Sequence, residues 1–455
     1  TNVDTKILLV ELFMNIKLYA LGGYEEVGRN MTCVEIGDEA VILDMGVYMD
    51  RYVPLQDKIQ QCSTKTLINE DVIPDDKPIH HLKKNVKAII LSHAHLDHIG
   101  AVFWLSSFYN CPIITTPYTN RILLQKQKNE DIKLKNKLIC ITPNSSYKLS
   151  DKIEIEFILA THSVIHSSMI NIITPKGNVL YSLDYKFDNH PVIGQTTNKT
   201  RLRQLGKEHT LALIVDSTNA EKESKTYSES VAKEMLRDVI LGMETENRGM
   251  FVSTFSSHIA RLKTIMDVSK DLGREVVFIG RSLYEYIRAA EQLDFVDFSS
   301  STEIIKSAYR SKKRLHEINK NKENYLIVAT GSQGETNATL SKIVNEDIPL
   351  QLDSNDFVIF ACGIIPTPTI QANRRILEHK IHHKNGRIFK DIHVSGHASR
   401  EDIRDLIKIV SPEHIIPAHG DMKKLASVAT LSTDMGYVLG KNVHLLQNGQ
   451  HFKLK

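Results

Sequence analysis

The chain has 455 residues, and its 57 lysines and arginines nearly balance its 54 aspartates and glutamates, which leaves a formal net charge of +3. This length predicts two or three compact units with sizeable cores, and the small net charge points to no single class of charged partner. The sequence contains no run of about 18 apolar residues and no secretory signal pattern, so we expect a cytoplasmic protein that neither spans a membrane nor is exported.

Short apolar runs bounded by glycine or aspartate predict the strands of the first part of the chain. Residues 1–13 precede Met14 and the first of these runs, and we expect them to lie outside the fold as a leader or an added segment. The predicted strands are IKLYAL, MTCVEIG, AVILDMG, VKAIILS, PIITT, KIEIEFILA, SMINIIT and NVLYSLD. Because few helices separate the early strands, the pattern predicts a sandwich of mostly antiparallel sheets whose loops share one rim.

From about residue 206, predicted strands alternate with predicted helices. The strands are LALIVDST, GMFVSTF, EVVFIG, NYLIVATGS and DFVIFACG, and the first helices cover Ser228–Glu246 and His258–Leu272. Such alternation is typical of parallel βαβ units. The chain then continues with strand-like KDIHVSG, a helix over Arg400–Val410, and strand-like HIIPAHG and NVHLLQNG. We therefore predict an α/β fold in which one domain is inserted into another, with the inserted domain at 206–375 and the outer domain at 14–205 and 376–455.

The hexapeptide HAHLDH places His93, His95, Asp97 and His98 directly after a predicted strand. Imidazole nitrogens and carboxylate oxygens suit a divalent metal such as zinc, and none of the five cysteines forms a CxxC pair that would indicate a cysteine site. In an extended loop His93 and His95 point the same way, whereas Asp97 and His98 face another direction. One ion cannot easily use all four side chains, but two ions about 3.5 to 4 Å apart can.

Further candidate ligands follow other apolar runs. His162 in LATHS, Asp184 in LYSLD and His419 in IIPAHG each end a predicted strand where a rim loop would begin. Each could be only a hydrogen-bonded turn residue, but together with HAHLDH they favour a metal site. Asp44 in VILDMG has the same position, and we expect it to orient a ligand rather than to bind metal. His166 competes with His162 for its role, and we prefer His162 because it directly follows the predicted strand.

These five motifs, in this order, resemble the metallo-β-lactamase superfamily, whose fold is an αββα sandwich with a metal site at one rim. The resemblance implies two zinc sites, the first held by His93, His95 and His162 and the second by Asp97, His98 and His419. It also implies that Asp184 bridges the two ions. Manganese or magnesium could take the place of zinc.

Three features of the remaining chain favour a phosphodiester substrate over a small acyl substrate. The inserted domain would roof the metal rim. In IHVSGHAS an extended segment would present His393, Ser395 and His397 on one face, where they could hold a phosphate and protonate a leaving oxygen. Two strand-to-helix turns could cradle a phosphate, through Ser256, Ser257, Ser332, Gln333 and Gly334. The alternatives are a polar turn without chemical consequence and ordinary helix N-caps.

The same features resemble the β-CASP branch of this superfamily, whose members cut nucleic acids. Asp216 in VDSTNAE resembles the first additional motif of that branch, His397 in SGHAS the second, and His419 in PAHGD the third. More narrowly, LGGYEEVGRNM, HAHLDHIGA, LDYKFD, VDSTNAE, TGSQGE, HVSGHAS and PAHGD resemble the ribonuclease J family in its shorter, archaeal form. Ile165 and His166 depart from the bacterial pattern, which has a proline and an acidic residue there.

The resemblance implies a zinc-dependent exoribonuclease that degrades single-stranded RNA from 5′ to 3′, prefers a 5′-monophosphate and acts in RNA decay and maturation. Its catalytic residues would be Asp97, Asp184, Asp216 and His397, and the family also implies a homodimer. Three alternatives stay open: an endonuclease of the polyadenylation-factor type, a zinc hydrolase of small acyl substrates, and a catalytically silent RNA-binding subunit. The silent subunit should have lost metal ligands, and none is missing.

Cations cluster in three runs, Arg121–Lys137, Lys306–Lys322 and Arg374–Lys390. A cleft between such segments would attract phosphates. The alternative is that each run is a solvated helix face.

Overall fold

The computed structural model describes residues 14–56, 58–130 and 132–454, so the predicted leader at residues 1–13 lies outside the described residues. The chain divides into two compact units. Among the described residues, the first unit contains those up to Phe187, Thr196–Thr226 and those from Gly396 onwards. The second unit contains Asp188–Gln195 and Tyr227–Ser395.

A seven-stranded mixed sheet forms one layer of the first unit. Its strands are β1 (Ile16–Gly22), β2 (Met31–Ile36), β3 (Glu39–Leu43), β4 (Val86–Leu91), β5 (Ile113–Thr115), β6 (Leu138–Cys140) and β19 (His451–Leu454). Their order is β19-β1-β2-β3-β4-β5-β6. Pairing is antiparallel from β19 to β3 and parallel from β3 to β6.

A six-stranded sheet forms the second layer. Its strands are β7 (Ser145–Lys148), β8 (Glu154–Leu159), β9 (Ser168–Thr174), β10 (Gly177–Ser182), β11 (Thr210–Asp216) and β18 (His414–Ala418). Their order is β18-β11-β10-β9-β8-β7, with parallel pairing only among β10, β11 and β18. Every residue of β11 is buried, as its continuous apolar sequence TLALIVD requires of a strand covered on both faces.

The apolar faces of the two sheets meet in one core, in which Val34 and Ile90 of the first sheet join Ile172 and Ile214 of the second. The other face of the second sheet packs against the helices Lys199–Leu205, Arg400–Val410 and Met422–Asp434. In Arg400–Val410 the buried apolar residues recur three or four positions apart, which places them on one face of the helix. The unit also contains the helices Met49–Leu55, Thr64–Asn69, Leu96–Ile99, Val102–Leu105 and Pro117–Glu130 and the 3₁₀ turns Ile59–Gln61, Lys77–Leu82 and Ser106–Phe108.

The second unit is built on a parallel six-stranded sheet. Its strands are β12 (Met250–Ser253), β13 (Glu275–Ile279), β14 (Glu303–Ile305), β15 (Tyr325–Ala329), β16 (Phe357–Phe360) and β17 (Arg387–Phe389), in the order β14-β13-β15-β12-β16-β17. The helices of this unit are Glu229–Leu241, Ile259–Leu272, Arg281–Glu291, Lys312–Lys320, Thr339–Val344 and Pro368–His383, with a 3₁₀ turn at Lys322–Asn324. In such a sheet the loops that follow the strands gather at its carboxyl edge, where ligands of open α/β sheets bind.

The predicted α/β fold, a sandwich with an inserted domain of parallel sheet, is confirmed. The eight strands predicted in the first part correspond to β1–β5 and β8–β10. The sandwich sheets are mixed rather than mostly antiparallel, because β3 to β6 and β10, β11 and β18 pair in parallel. The short strands β6, β7, β14, β17 and β19 were not predicted. Among the described residues, no helix combines the length and the apolar character needed to cross a bilayer.

The units divide at different residues from those predicted. β11 was assigned to the inserted domain, but it lies between β10 and β18 in the second layer of the first unit. The first unit therefore extends to Thr226 and resumes at Gly396, rather than ending at 205 and resuming at 376. At the far end, β17 pairs with β16, which keeps residues 387–389 in the second unit.

Two predicted strands are wrong. In KDIHVSG no strand forms, because the backbone there bonds to side chains: the carbonyl of Ile392 accepts a hydrogen bond from Nη1 of Arg261 (3.1 Å). In NVHLLQNG the chain makes only isolated bridges, from Val443 to Ile415 and to Leu439, and β19 begins later, at His451.

Candidate metal centre

The candidate site lies in the first unit, where strands of both sheets end. β4, β10 and β18 end one or two residues before His93, Asp184 and His419 respectively. Asp184 and His419 have left-handed backbones, with φ values of 51° and 58°. This conformation is uncommon for residues other than glycine, and it occurs preferentially at functional sites.

One group of side chains consists of His93, His95, His162 and Asp184, whose ligand atoms lie within 4.8 Å of one another. Nδ1 of His95 lies 3.0 Å from Nε2 of His93 and 3.2 Å from Nε2 of His162. Oδ2 of Asp184 lies 3.4 Å from Nε2 of both His93 and His162. Three imidazole nitrogens and one carboxylate oxygen that converge in this way are a donor set suited to a divalent metal.

A second group consists of Asp97, His98, Asp184 and His419. Oδ1 of Asp184 lies 3.1 Å from Nε2 of His98 and 3.3 Å from Nε2 of His419. Oδ2 of Asp97 lies 3.6 Å and 3.7 Å from the same two nitrogens. Asp97 is the more open side of this group, because its side chain is 19% exposed while the other three are buried.

Asp184 belongs to both groups and turns one oxygen towards each. Oδ1 is buried and accepts no hydrogen bond of ordinary geometry from any described residue, although two imidazoles approach it. Buried carboxylate oxygens normally have such a partner, and a cation between the oxygen and the ring nitrogens would satisfy it. The residues present therefore fit a divalent metal ion.

Asp44 supports this arrangement from behind. Its φ is 57°, and Oδ2 lies 2.7 Å from Nδ1 of His98, which turns Nε2 of that ring towards the second group. The Ser92 amide and hydroxyl each donate to Asp44 over 2.8 Å, and the Tyr181 hydroxyl donates over 3.1 Å. A carboxylate that holds the far nitrogen of a ligating imidazole is a common second layer in metal sites.

Three further hydrogen bonds hold members of the two groups in place, and sequence reasoning did not single out the residues that make them. Nδ1 of His162 donates to the Gly396 carbonyl (2.8 Å), which leaves Nε2 facing the first group. The Gly28 amide donates to Nδ1 of His419 (3.2 Å). Nδ2 of Asn30 donates to the Asp97 carbonyl (3.1 Å). Gly28 and Asn30 lie in the motif LGGYEEVGRNM and Gly396 lies in SGHAS. The sequence alone does not show which histidine rings the two glycines contact.

Burial and charge divide the imidazoles into two kinds. Burial, with the neighbouring imidazoles, holds the pKa of His95 well below its usual range, and burial also lowers the pKa of His93 and His162. These rings are therefore neutral at pH 7, which is the form that binds metal. Burial also opposes charge on His98, but Asp184, Asp97 and Asp44 raise its pKa well above the usual value, which shows that negative charge is in excess around the second group.

His397 lies beside both groups. Its Nδ1 donates to Oδ2 of Asp216 (2.8 Å), and its Nε2 lies 3.9 Å from Oδ2 of Asp184. Burial opposes its charge, but the carboxylates of Asp184 and Asp216 raise the pKa of His397 to about 9. The Thr226 hydroxyl donates to the His397 carbonyl (2.7 Å) and so fixes its backbone. Asp216, His397 and His419 also form a third group of potential ligand atoms.

Comparisons with known proteins assign the chain to a family. Residues 25–190 match the model of the metallo-beta-lactamase superfamily, residues 247–378 that of the ribonuclease J beta-CASP domain, and residues 382–446 that of the Zn-dependent metallo-hydrolase RNA specificity domain. Ribonuclease J of Pyrococcus abyssi is 43% identical over 95% of this chain and 96% of its own length. The chain belongs to the ribonuclease J family.

Two further relatives and a solved structure agree with this assignment. Ribonuclease J of Methanocaldococcus jannaschii is 41% identical over 96% of this chain and 98% of its own length. Ribonuclease J of Helicobacter pylori is 29% identical over 97% of this chain but only 61% of its own length. A crystal structure of a protein of unknown function from Enterococcus faecalis covers 97% of this chain with a TM-score of 0.68 at 18% identity, which shows the fold alone. The resemblance to the ribonuclease J family is thus confirmed.

The predicted phosphate-binding residues of this ribonuclease J family member lie in the second unit. His393 packs against Gly363, where an added Cβ would lie 3.0 Å from the ring. Gln333 donates through Nε2 to the Gly363 carbonyl (3.0 Å), and the Ser332 carbonyl accepts from Arg374 (2.6 Å). The other members of this set are Ser256, Ser257, Gly334 and Ser395. Because the predicted strand in KDIHVSG is absent, alternation along a strand does not place His393, Ser395 and His397 on one face.

The structure distinguishes the two histidines that competed for one ligand position. His162 is in the first group, and His166 is in neither. His166 has a left-handed backbone with φ 59°, and burial lowers its pKa to about 4. The His162 ring is held in place by its bond to the Gly396 carbonyl.

Proposed function

We propose that this chain is a metal-dependent ribonuclease that degrades single-stranded RNA from its 5′ end and prefers a 5′-monophosphate, acting in RNA decay and maturation. The observation that carries the proposal is the Asp184 carboxylate, whose two oxygens face two separate groups of ligand atoms in a chain of the ribonuclease J family. Two adjacent divalent ions are the usual means of stabilising an in-line displacement at phosphorus.

The proposed ligands are His93, His95 and His162 for one ion and Asp97, His98 and His419 for the other, with Asp184 between them. When bound, divalent cations such as zinc, or alternatively manganese or magnesium, supply Lewis acidity and lower the pKa of water to near neutrality. Asp97 or Asp184 orients the attacking water, since Asp184 borders both groups of ring nitrogens and Asp97 borders the second.

His397 has the properties of a general acid. Asp216 accepts a hydrogen bond from its Nδ1 and favours the charged form of the ring, and Nε2 faces the metal groups. In the proposed reaction Nε2 donates its proton to the leaving 3′ oxygen, which leaves a 5′-phosphate on the next nucleotide. His393 and Ser395 are proposed to hold the scissile phosphate.

The turns at Ser257 and at Ser332, Gln333 and Gly334 are proposed to form the pocket for the 5′-phosphate. Ser257, Ser332 and Gln333 are buried, and Gln333 already bonds within its own unit. We therefore propose that the Gln333 side chain fixes the conformation of the turn through these two hydrogen bonds. Gly334 is required by geometry, because its φ is 80° and a Cβ there would lie 2.5 Å from the backbone of Asn373.

The test uses one RNA labelled at its 5′-terminal nucleotide and prepared with either a 5′-monophosphate or a 5′-triphosphate, and it is run in zinc or manganese and, separately, in a chelator. We expect mononucleotides to be released at once from the monophosphate form only, and no cleavage with chelator. Internal fragments would instead indicate an endonuclease of the polyadenylation-factor type. Hydrolysis of a small thioester or lactone without any RNA cleavage would contradict the proposal. The family further implies a homodimer, which light scattering of the purified chain would test.

A further inference from the structure

The carboxyl edge of the parallel sheet in the second unit carries a run of cations around one exposed tyrosine. β14 ends at Ile305, and the segment Lys306–Lys313 (KSAYRSKK) follows it into the helix Lys312–Lys320. The neighbouring strand β13 ends beside it, since the Gly280 amide donates to the Ile305 carbonyl over 2.9 Å. The segment therefore lies at the carboxyl edge of the sheet, beside its edge strand.

Tyr309 is exposed to an unusual degree. Its side chain is 75% exposed, a larger fraction than that of any other large hydrophobic side chain in the described part of the chain. Nζ of Lys312 lies 4.5 Å from the centre of its ring. An exposed aromatic ring contacted by a cation stabilises little of the fold, but it matches the sites on which unpaired bases stack.

Three of the cations around Tyr309 are available to an anion. Lys306, Arg310, Lys312 and Lys313 are exposed, and Arg310, Lys312 and Lys313 have no acidic partner among the residues that the structure describes. The next cation, Arg314, differs, because it pairs with Glu303 (2.8 Å) and Glu317 (3.4 Å). Positive charge is thus left unneutralised on the tyrosine side of the helix start, where phosphates would neutralise it.

We propose that Lys306, Tyr309, Arg310, Lys312 and Lys313, here called the Tyr309 platform, bind single-stranded RNA. Tyr309 stacks on an unpaired base, and the cations contact the phosphates on either side of it. A single strand is required, because the bases of a duplex are not free to stack on a side chain. This inference rests on the proposed function. It adds a contact with the RNA in the second unit, made by residues that take no part in the chemical step.

The test measures binding of a fluorescent, 5′-monophosphorylated 20-nucleotide oligouridylate to the full chain by anisotropy, in chelator so that no RNA is cut. Tyr309→Ala should weaken binding about tenfold, as loss of one base stack does, while Tyr309→Phe should bind like the wild type. The double variant Arg310→Gln/Lys312→Gln should lower the slope of log K against log salt by about 0.7 for each phosphate that the two side chains neutralise in the wild type.

The matched control is Tyr147→Ala in the first unit. Tyr147 is 38% exposed, but the adjacent Lys148 is already paired with Asp151 (3.0 Å), so this variant should bind RNA normally. Crosslinking with 5-iodouridine RNA should label the Tyr309 peptide. The proposal would be overturned if Tyr309→Ala bound RNA with wild-type affinity and Arg310→Gln/Lys312→Gln kept the wild-type dependence of affinity on salt. If wild-type chain and metal cleaved RNA while those variants bound normally, only the platform would be wrong. If platform variants had reduced affinity but the wild type cut no RNA, only the proposed function would be wrong.

Discussion

Nδ1 of His397 donates a hydrogen bond to Oδ2 of Asp216 over 2.8 Å, and Asp216 is completely buried at the end of β11. The pair therefore works as one unit: the carboxylate fixes the ring and stabilises its charged form. We expect His397→Gln and Asp216→Asn each to lower kcat about 10²- to 10⁴-fold, with a smaller effect on KM. Because the two residues act together, the double variant should lose little more than either single one.

Steady-state kinetics on 5′-monophosphorylated RNA would check this, with bound metal measured on the same samples. Asp151→Asn is the control, since the Asp151 side chain is 99% exposed. Full kcat in Asp216→Asn, or additive losses in the double variant, would contradict the assigned roles.

Asp184 offers a test of the metal groups themselves. Asp184→Asn keeps the shape of the side chain but removes the charge that both groups share, so we expect the content of bound divalent metal to fall and activity to drop more than about 100-fold. Elemental analysis after dialysis gives the metal content, and circular dichroism shows whether the fold persists. An Asp184→Asn chain that retained its full metal content would exclude the bridging role.

A buried ion pair in the second unit predicts a pH-dependent stability. Glu229 accepts two hydrogen bonds from the fully buried Arg261, at 2.6 Å and 3.0 Å. Burial opposes ionisation of Glu229, but His258 and Arg261 hold its pKa well below the usual 4.5. The stabilisation is therefore complete above about pH 4.5 and is lost as the pH falls towards the lowered pKa.

Glu229→Gln leaves Arg261 charged and buried, so it should cost about 3–5 kcal/mol of unfolding free energy at pH 7. The difference from the wild type should shrink below pH 4.5. Urea unfolding at pH 7 and pH 4 would measure it. Glu221→Gln removes an exposed partner of Lys423 and should cost less than about 1 kcal/mol at either pH. If the stability difference between Glu229→Gln and the wild type grew on acidification, the predicted direction of the pH dependence would be wrong.

Gly396 gives a steric test of the first group. A Cβ on Gly396 would lie 2.7 Å from both Nδ1 and Cε1 of the His162 ring, so Gly396→Ala should push that ring away from His93 and His95. We expect weaker metal binding and at least a tenfold loss of activity, with the overall fold retained. Metal titration would detect the change, and an unaltered metal affinity would show that the ring can move without consequence.

The metal groups could be predicted because their signal is local. HAHLDH supplies four side chains within six residues, and His162, Asp184 and His419 each follow an apolar strand. The remaining site contacts depend on tertiary structure: Gly28 reaches His419, and Gly396 reaches His162, across hundreds of positions. The roles of all these residues stay predictions until the variants above are measured.

The errors in the predicted fold also lie where tertiary contacts, rather than local sequence, determine the structure. β6 and β7 have only three and four residues, and so short an edge strand carries little periodicity. KDIHVSG has the alternation of a strand, but Arg261 takes the Ile392 carbonyl that a sheet neighbour would otherwise have bonded. β11 resembles the start of a βαβ unit in sequence, and only its pairing with β10 and with β18, which is made some 200 residues later, shows that it belongs to the sandwich.

The bond from His162 to the Gly396 carbonyl has a consequence for synthesis of the chain. His93, His95, His162 and Asp184 leave the ribosome well before Gly396 and His419, which orient or complete their groups. A nascent chain that has reached only the second unit therefore holds its first imidazoles without their final orientation and lacks a ligand of the second group. Any metal chemistry that needs both groups therefore has to wait until the carboxyl-terminal residues of the chain have been made.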